Sequence, residues 1–240
     1  MWFCERMAQC HEIIVPEVSF ERAAKAKSCL AYEAVLQLLY SYAHVPGQHL
    51  NEKDLAAKLN IGRTPVREAL IRLAAEGKII CLPQRGYFTK PLIEWVLLDA
   101  YVIARELLIL ALTRNRSSSS IRLIPCDQLS PDELAHQAES IFTQIAQGAS
   151  NCELCQMIDK FCFSSRPVRL EIAASELSAS FRRSLATLMD AMRHLNNGKG
   201  VVESALAAHL DLEQSALPGV VHRVNTRLTS LPFVTYSNFA

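Results

Sequence analysis

The stretch Asn51 to Thr89, NEKDLAAKLNIGRTPVREALIRLAAEGKIICLPQRGYFT, allows few folds. Leu55, Ala56 and Leu59 recur at helical spacing, and so do Val66, Leu70 and Leu73. Between the two runs lies Asn60-Ile61-Gly62, a tight turn in which Gly62 is expected to supply backbone freedom. Asn51 is suited to cap the first helix, with Asp54 three residues on. The second helix is expected to open at Thr64-Pro65, a hydroxyl cap followed by proline at the first helical position, and to stop at Gly77. Ile79 to Leu82 and Tyr87 to Thr89 then read as two short strands around the turn Pro83-Gln84-Arg85-Gly86. Helix, turn, helix and ribbon make a winged helix-turn-helix.

Such a fold presents the N-terminal end of its second helix to base edges and phosphates in the major groove. Here that end carries Arg63, Thr64 and Arg67. Arginine grips guanine or phosphate through its fork of donors. Lys53 on the preceding helix is placed to reach the DNA backbone, and Arg85 at the ribbon tip to enter the adjacent minor groove. From Lys53 to Lys90 eight basic residues stand against three acids, a local net charge of +5 in a chain whose total is only +1. Phosphate binding needs the patch rather than the total. The bland alternative is a helical hairpin with ordinary solvated charges.

Leu55-Ala56, Arg63-Thr64-Pro65-Val66-Arg67-Glu68-Ala69-Leu70, Leu73, Glu76-Gly77 and Pro83-x-Arg85-Gly86 together resemble the GntR family of bacterial transcription regulators. Tyr32 to Leu50, ending Pro46-Gly47-Gln48-x-Leu50, resembles that family's first helix and the loop after it, so the likeness spans residues 28–91. It implies a homodimeric, effector-responsive protein that binds double-stranded operator DNA. The family's DNA contacts would fall on Lys53, Arg63, Thr64, Arg67, Arg85 and Gly86. Gly62 departs from the pattern, which usually has a hydroxyl residue before the arginine.

The rest of the chain suits a second domain. Half of its 240 residues are hydrophobic and a fifth charged, as in a core-forming globular protein. Met1 to Phe20 holds Glu5, Glu12 and Glu17, which does not read as a secretion signal. No span approaches a continuous apolar membrane helix, because the richest, Trp95 to Leu112, contains Asp99, Arg105 and Glu106. Eight cysteines in so apolar a chain read as free thiols in a reducing cytoplasm. The expected organisation is an arm at 1–27, in which Ile13-Ile14-Val15 could add a short strand or pack on a neighbour and is interrupted by Pro16, then a head at 28–91 whose first helix covers 28–43. An all-helical effector-binding and dimerisation domain follows at 92–240. The fold class is mainly α: a winged head with a small β-ribbon, then an all-α bundle of about six helices.

In that bundle Ile93 to Arg116 is apolar on most of its circumference, so burial against several neighbours is expected. Asn115 to Ser120 reads as a break, and Ser130-Pro131-Asp132-Glu133 as the start of a helix running to Gly148. Cys152 to Phe163 is expected to be a helix ended by Ser164 to Pro167. Val168 to Leu195 follows, broken around Ser178 to Ser180. After a turn at Asn196-Asn197-Gly198, a helix from Val201 to Leu217 is expected to stop at Pro218-Gly219, with a short last one from Val220 to Leu228.

A helical domain behind such a head resembles the fatty-acid-responsive (FadR/FCD-like) branch of the family. Many members hold a divalent metal with an aspartate and three histidines. Arg105 and Leu108 fit the branch's first bundle helix, but Ile109 stands where a glutamate is expected. Asp159 and Phe161-Cys162 resemble the first part of the metal site, with cysteine in place of histidine; Leu185 replaces the second histidine, and Ala208-His209-Leu210 matches the last. The histidine set is therefore incomplete, and no cofactor is expected with certainty. Arg105, Asp159, Cys162 and His209 remain the candidate effector residues. Arg105 is expected either to pair with an acid such as Asp159 or Glu106 or to meet an organic anion.

Cys152, Cys155, Asp159 and Cys162 recur at helical spacing on one face, which suits either a thiol or metal sensor or plain core packing. No Gly-rich phosphate loop, nucleophile elbow or paired histidine-metal motif points to an enzyme. The expectation is a repressor whose operator affinity is set by a small molecule, with a thiol- or metal-responsive regulator as the alternative.

Overall fold

The structure, a computed structural model, describes residues 18–40, 46–114, 126–193 and 198–229. Expectations for 1–17, the Asn115–Ser120 break, the Asn196-Asn197 turn and the tail beyond Thr229 fall outside those residues.

The head contains α1 (Val18–Tyr40), β1 (His49–Leu50), α2 (Glu52–Leu59), α3 (Arg63–Ala75), β2 (Ile79–Leu82) and β3 (Gly86–Thr89). Val35 of α1, Leu55 of α2 and Val66, Leu70 and Leu73 of α3 close one small core, with Leu50 and Ile79 from the sheet. Helix α1 begins ten residues before the expected start. The sheet has three antiparallel strands in the order β1-β3-β2, where a two-stranded ribbon was expected. Strand β1 is only two residues long, too short for alternation to reveal, and it pairs Leu50 with Tyr87.

Two turn assignments change. Asn60, not Gly62, takes the left-handed conformation (φ 53°), which its short polar side chain tolerates. Gly62 has an ordinary φ of −62° and is the N-cap of α3, which therefore opens at Arg63 and carries Thr64 and Pro65 inside its first turn. Proline is harmless there because first-turn N–H groups have no helical partner. Asn51 does cap α2, accepting from the Lys53 N–H at 2.9 Å. Gly77 ends α3 at φ +68°, with its N–H bonded to Ala74 and that of Lys78 to Leu73, a Schellman closure.

The bundle contains α4 (Glu94–Arg114), a 3₁₀ turn (Cys126–Gln128), α5 (Pro131–Gly148), α6 (Cys152–Ala173), α7 (Ser178–Arg193) and α8 (Lys199–Thr229). Among the described residues these are five α-helices where about six were expected, because Pro167 lies inside α6 and Pro218 inside α8. Tertiary packing overrides the helix-breaking tendency of both prolines. The break after α6 falls at Ala174 to Leu177, just before the expected position. Helix α5 has the expected start, with Ser130 and Glu133 forming a reciprocal capping box.

Tyr101, Leu108, Phe142, Ile158, Phe181 and Leu206 are among the fully buried residues that join all five helices in one core. Helix α4 is not buried all round, however. Trp95, Val102 and Ile103 are 67%, 55% and 53% exposed, and Val96 and Leu110 also face out. The head rests on α6. The Tyr40 and Phe163 rings meet edge to face at 5.2 Å, and Arg166 Nε donates to the Tyr40 carbonyl at 2.9 Å.

Candidate nucleic-acid interface and the buried network behind it

The first turn of α3 holds Arg63, Thr64 and Arg67, all exposed. Arg67 Nε donates to both oxygens of Glu52 at 3.0 and 3.1 Å, which fastens this turn to the first turn of α2 and so brings Lys53 alongside. The bond to Glu52 also raises the Arg67 pKa. The guanidinium is oriented, and its two terminal nitrogens are left for another partner. Sequence reading missed Glu52 in this role, although an acid at the start of the supporting helix was the available signal. Tyr87 on β3 stands close enough for Glu52 and Arg67 to perturb its hydroxyl, so the ribbon lies beside the same two turns.

Arg85 precedes β3 on the turn and is exposed, as are Lys53 and Arg63. Gly86 has φ +90°, a conformation that favours glycine, and a Cβ there would crowd the His49 ring at 3.0 Å. Lys53, Arg63 and Arg85 make no side-chain hydrogen bond or ion pair with the described residues. Exposed cations without internal partners are available to phosphate.

Not every basic residue counted in this stretch is available. Glu76 accepts from Arg72 at 3.0 Å and from the Tyr32 hydroxyl at 2.5 Å, and lies 2.9 Å from Lys78 Nζ. Arg72 also stacks on the Tyr32 ring, 4.1 Å from its centre. Burial pushes the Glu76 carboxyl up, but its hydrogen bonds to Tyr32 and Lys78 outweigh that and hold it low. Arg72 and Lys78 therefore secure α1 to α3 rather than facing a ligand.

In the bundle the four candidate effector residues do not converge. Arg105 is held by Asp211, by Gln214 Oε1 at 2.7 Å and by the Ala207 carbonyl, all on α8, and pairs with neither Asp159 nor Glu106. Asp159 and Cys162 line a cleft between α1 and the α5–α6 pair. His209 is fully buried in the core, with Nδ1 3.1 Å from Ser184 Oγ and Nε2 3.2 Å from Glu213 Oε1 but off the line of a hydrogen bond. Among the described residues no three histidine, cysteine, aspartate or glutamate side chains are grouped to hold a metal ion.

The cysteine face is split in the same way. Cys152 is exposed and Cys155 half-buried, while Cys162 is buried. The core side of α6 is carried by Leu154, Ile158 and Phe161 instead. Burial pushes the Cys162 thiol up to about 12 and raises Cys155 as well, which leaves little thiolate in either at neutral pH.

What fills the bundle interior is a charged network that sequence reading overlooked. Arg169 on α6 is fully buried and donates to Glu213 at 3.1 Å, Glu139 at 3.2 Å, Ser165 Oγ at 2.7 Å and the Cys162 carbonyl at 3.1 Å. Tyr101 donates to Glu213 at 2.6 Å. One turn earlier Arg166 bonds Glu139 at 2.5 Å, Asp132 at 2.8 Å and the head through Tyr40. Burial pushes the Glu139 carboxyl up and the two arginines only partly oppose it. For Glu213 burial acts in the same sense, but Arg169, His209 and Tyr101 win and the carboxyl stays below its ordinary value. Arg169 remains charged: burial works against it, but Glu213 and its neighbours raise it further.

Residues 30–89 match the family described as bacterial regulatory proteins, gntR family. The chain is 32% identical over 124 residues to the Nta operon transcriptional regulator of Aminobacter aminovorans, a match covering 51% of this chain and 54% of that protein. Over 85 residues it is 39% identical to the HTH-type transcriptional repressor RspR of Escherichia coli strain K12, covering 35% of this chain and 36% of the repressor. The chain thus spans about half or less of the length of the curated relatives it matches. Two solved structures share the fold over most of the chain. A putative transcriptional regulator GntR from Rhodococcus sp. RHA1 superposes with TM-score 0.62 at 14% identity, covering 81% of this chain and 98% of that one. McbR/YncC of E. coli does so with TM-score 0.57 at 19% identity, covering 82% and 98%.

Proposed function

We propose that this chain, whose head is that of a GntR-family regulator, is a DNA-binding transcription regulator acting as a homodimer. One observation carries the reading: Lys53, Arg63, the Glu52-oriented Arg67 and Arg85 lie on the two first turns and the ribbon beside them, exposed and uncommitted to the core. In this reading Arg63, Thr64 and Arg67 meet base edges and phosphates. Lys53 and the Gly86 backbone hold the flanking phosphates, and Arg85 enters the minor groove.

A two-fold dimer reads two half-sites. Its contact we assign to α4, whose exposed Trp95, Val102 and Ile103 offer apolar area to a second copy, with the exposed Asp99 and Glu106 interspersed on the same side. The bundle we place in the fatty-acid-responsive branch in divergent form. Its role is to bind a small molecule that favours one arrangement of the heads. Repression is the sign suggested by the likeness to the repressor RspR, and its relief by ligand is our own assignment. The thiol-responsive alternative is weakened by protonated Cys155 and Cys162.

The test is selection of duplexes from a random pool, followed by anisotropy titration of the best one. Wild type should select a two-fold sequence. Arg63→Ala with Arg67→Ala should lower affinity about a hundredfold or more while leaving the fold intact. Unchanged binding by that double variant would show the head assignment to be wrong. In parallel, Val102→Glu with Ile103→Glu should convert a dimeric mass in light scattering to a monomeric one.

A further inference from the structure

The interior of the bundle is occupied by Arg169 and its partners, so the open volume lies elsewhere. The cleft between α1 and the α5–α6 pair holds about 500 Å³, within the size range of small-molecule sites. Gln37 and Tyr40 close it from the head, so it exists only where the two domains meet.

Its lining is rich in acceptors. Asp132, Glu139 and Asp159 face it against one guanidinium, that of Arg166. Arg166 is already shared between Asp132 and Glu139, and it lies over the Tyr40 ring at 5.2 Å. Asp159 makes no hydrogen bond or ion pair with the described residues. Gln144 also lines the cleft, and its Oε1 is buried and accepts no hydrogen bond among the described residues. A carboxylate that Lys78 reaches only at a distance, without a direct bond, and a carbonyl without a donor call for the same partner, a cation bearing N–H groups. A bare metal ion does not suit the site, because no three ligating side chains converge among the described residues. The opposing charges are Arg166 itself and Lys78, which Tyr32 and Glu76 already hold. His136 also lines the cleft.

We propose that this inter-domain cleft binds a small organic cation, an amine or guanidine, between Asp159 and the Gln144 carbonyl. Tyr40 and Gln37 belong to the longest helix of the head, so an occupant of the cleft touches both the bundle and the body that carries α3. Arg166, which lines the cleft, bonds Asp132 and Glu139 there and the Tyr40 carbonyl of the head. That gives the cleft a direct mechanical link to head placement. The inference rests on the regulator reading only for its consequence at DNA; binding itself is independent of it.

The experiment uses the full chain titrated calorimetrically with agmatine, which carries both an ammonium and a guanidinium, and with succinate as the matched dianion. Saturable agmatine binding is expected, weakened about tenfold or more by Asp159→Asn and by Ser140→Phe, which fills the cleft. Succinate should give no saturation. Agmatine silence, succinate binding in its place, or agmatine binding indifferent to both variants would each overturn the proposal. Operator affinity of the ligand-free protein is measured alongside. Failure at the cleft with intact DNA binding rejects this site alone, whereas absent DNA binding rejects the regulator reading whatever the calorimetry gives.

Discussion

Arginine does opposite work in the two halves of this molecule. In the head, Arg63, Arg67 and Arg85 stand in water, and their one internal partner among the described residues, Glu52 on Arg67, aims the group without consuming it. In the bundle, Arg166 and Arg169 are 6% and 0% exposed, and their donors are spent on Glu139, Glu213, Asp132 and backbone carbonyls. The difference is one of desolvation. An exposed cation gives up little until a ligand arrives, whereas a buried one is tolerable only when fully partnered. Charge in the head is therefore expected to govern binding, and charge in the bundle to govern folding.

The sharpest way to break that contrast is Arg169→Met. It strands Glu213 and Glu139 and should cost about 3–5 kcal/mol of stability, read from the urea midpoint. If Arg63→Ala cost as much, the division would fail. Next comes pH. Glu213 sits below its ordinary value in the folded state, so its contribution is complete above the unfolded pKa and is lost as pH falls through the folded one. Glu139 is raised, so its contribution is present below its unfolded pKa and shrinks as pH rises through the folded value. Glu213→Gln should therefore flatten or reverse the acid-side loss of stability, measured as urea midpoints from about pH 6 to about pH 3.

Smaller effects sharpen the head's side. Gly77→Ala places a side chain at φ +68°, where space is adequate but the conformation is not, and should cost about 1–2 kcal/mol without altering DNA contacts. Lys53→Ala should leave stability unchanged and reduce the slope of log affinity against log salt by about one unit, as a single phosphate contact does. A sequence-selective loss instead would move Lys53 from phosphate to base.

The head was largely legible because its constraints are local. Asn51, Pro65, Gly77 and the Pro83–Gly86 turn mark element ends by their own backbone chemistry. What escaped there was pairing at a distance: the two-residue β1 and the Glu52–Arg67 bond join segments that say nothing about each other in order along the chain. The bundle was less legible for the same reason on a larger scale. Pro167 and Pro218 read as stops because local propensity is all that a sequence displays, yet packing carries both helices through. Nothing local marks Arg166 and Arg169 as buried, since their partners Glu139 and Glu213 lie on two other helices. The four expected effector residues lie apart, because matching positions one by one could not show that His209 faces the core while Arg105 faces α8.

The buried network also constrains how this protein can change over generations. Glu139, Arg169 and Glu213 satisfy one another, so replacing any one alone leaves a charge stranded in the core. A purely apolar interior of equal stability is reachable only by changing several at once, since intermediates along the way are the unstable forms. Each member is thus held in place by the others, an epistatic lock. Exposed positions such as Arg63 and Arg85 are free of it and can change one substitution at a time.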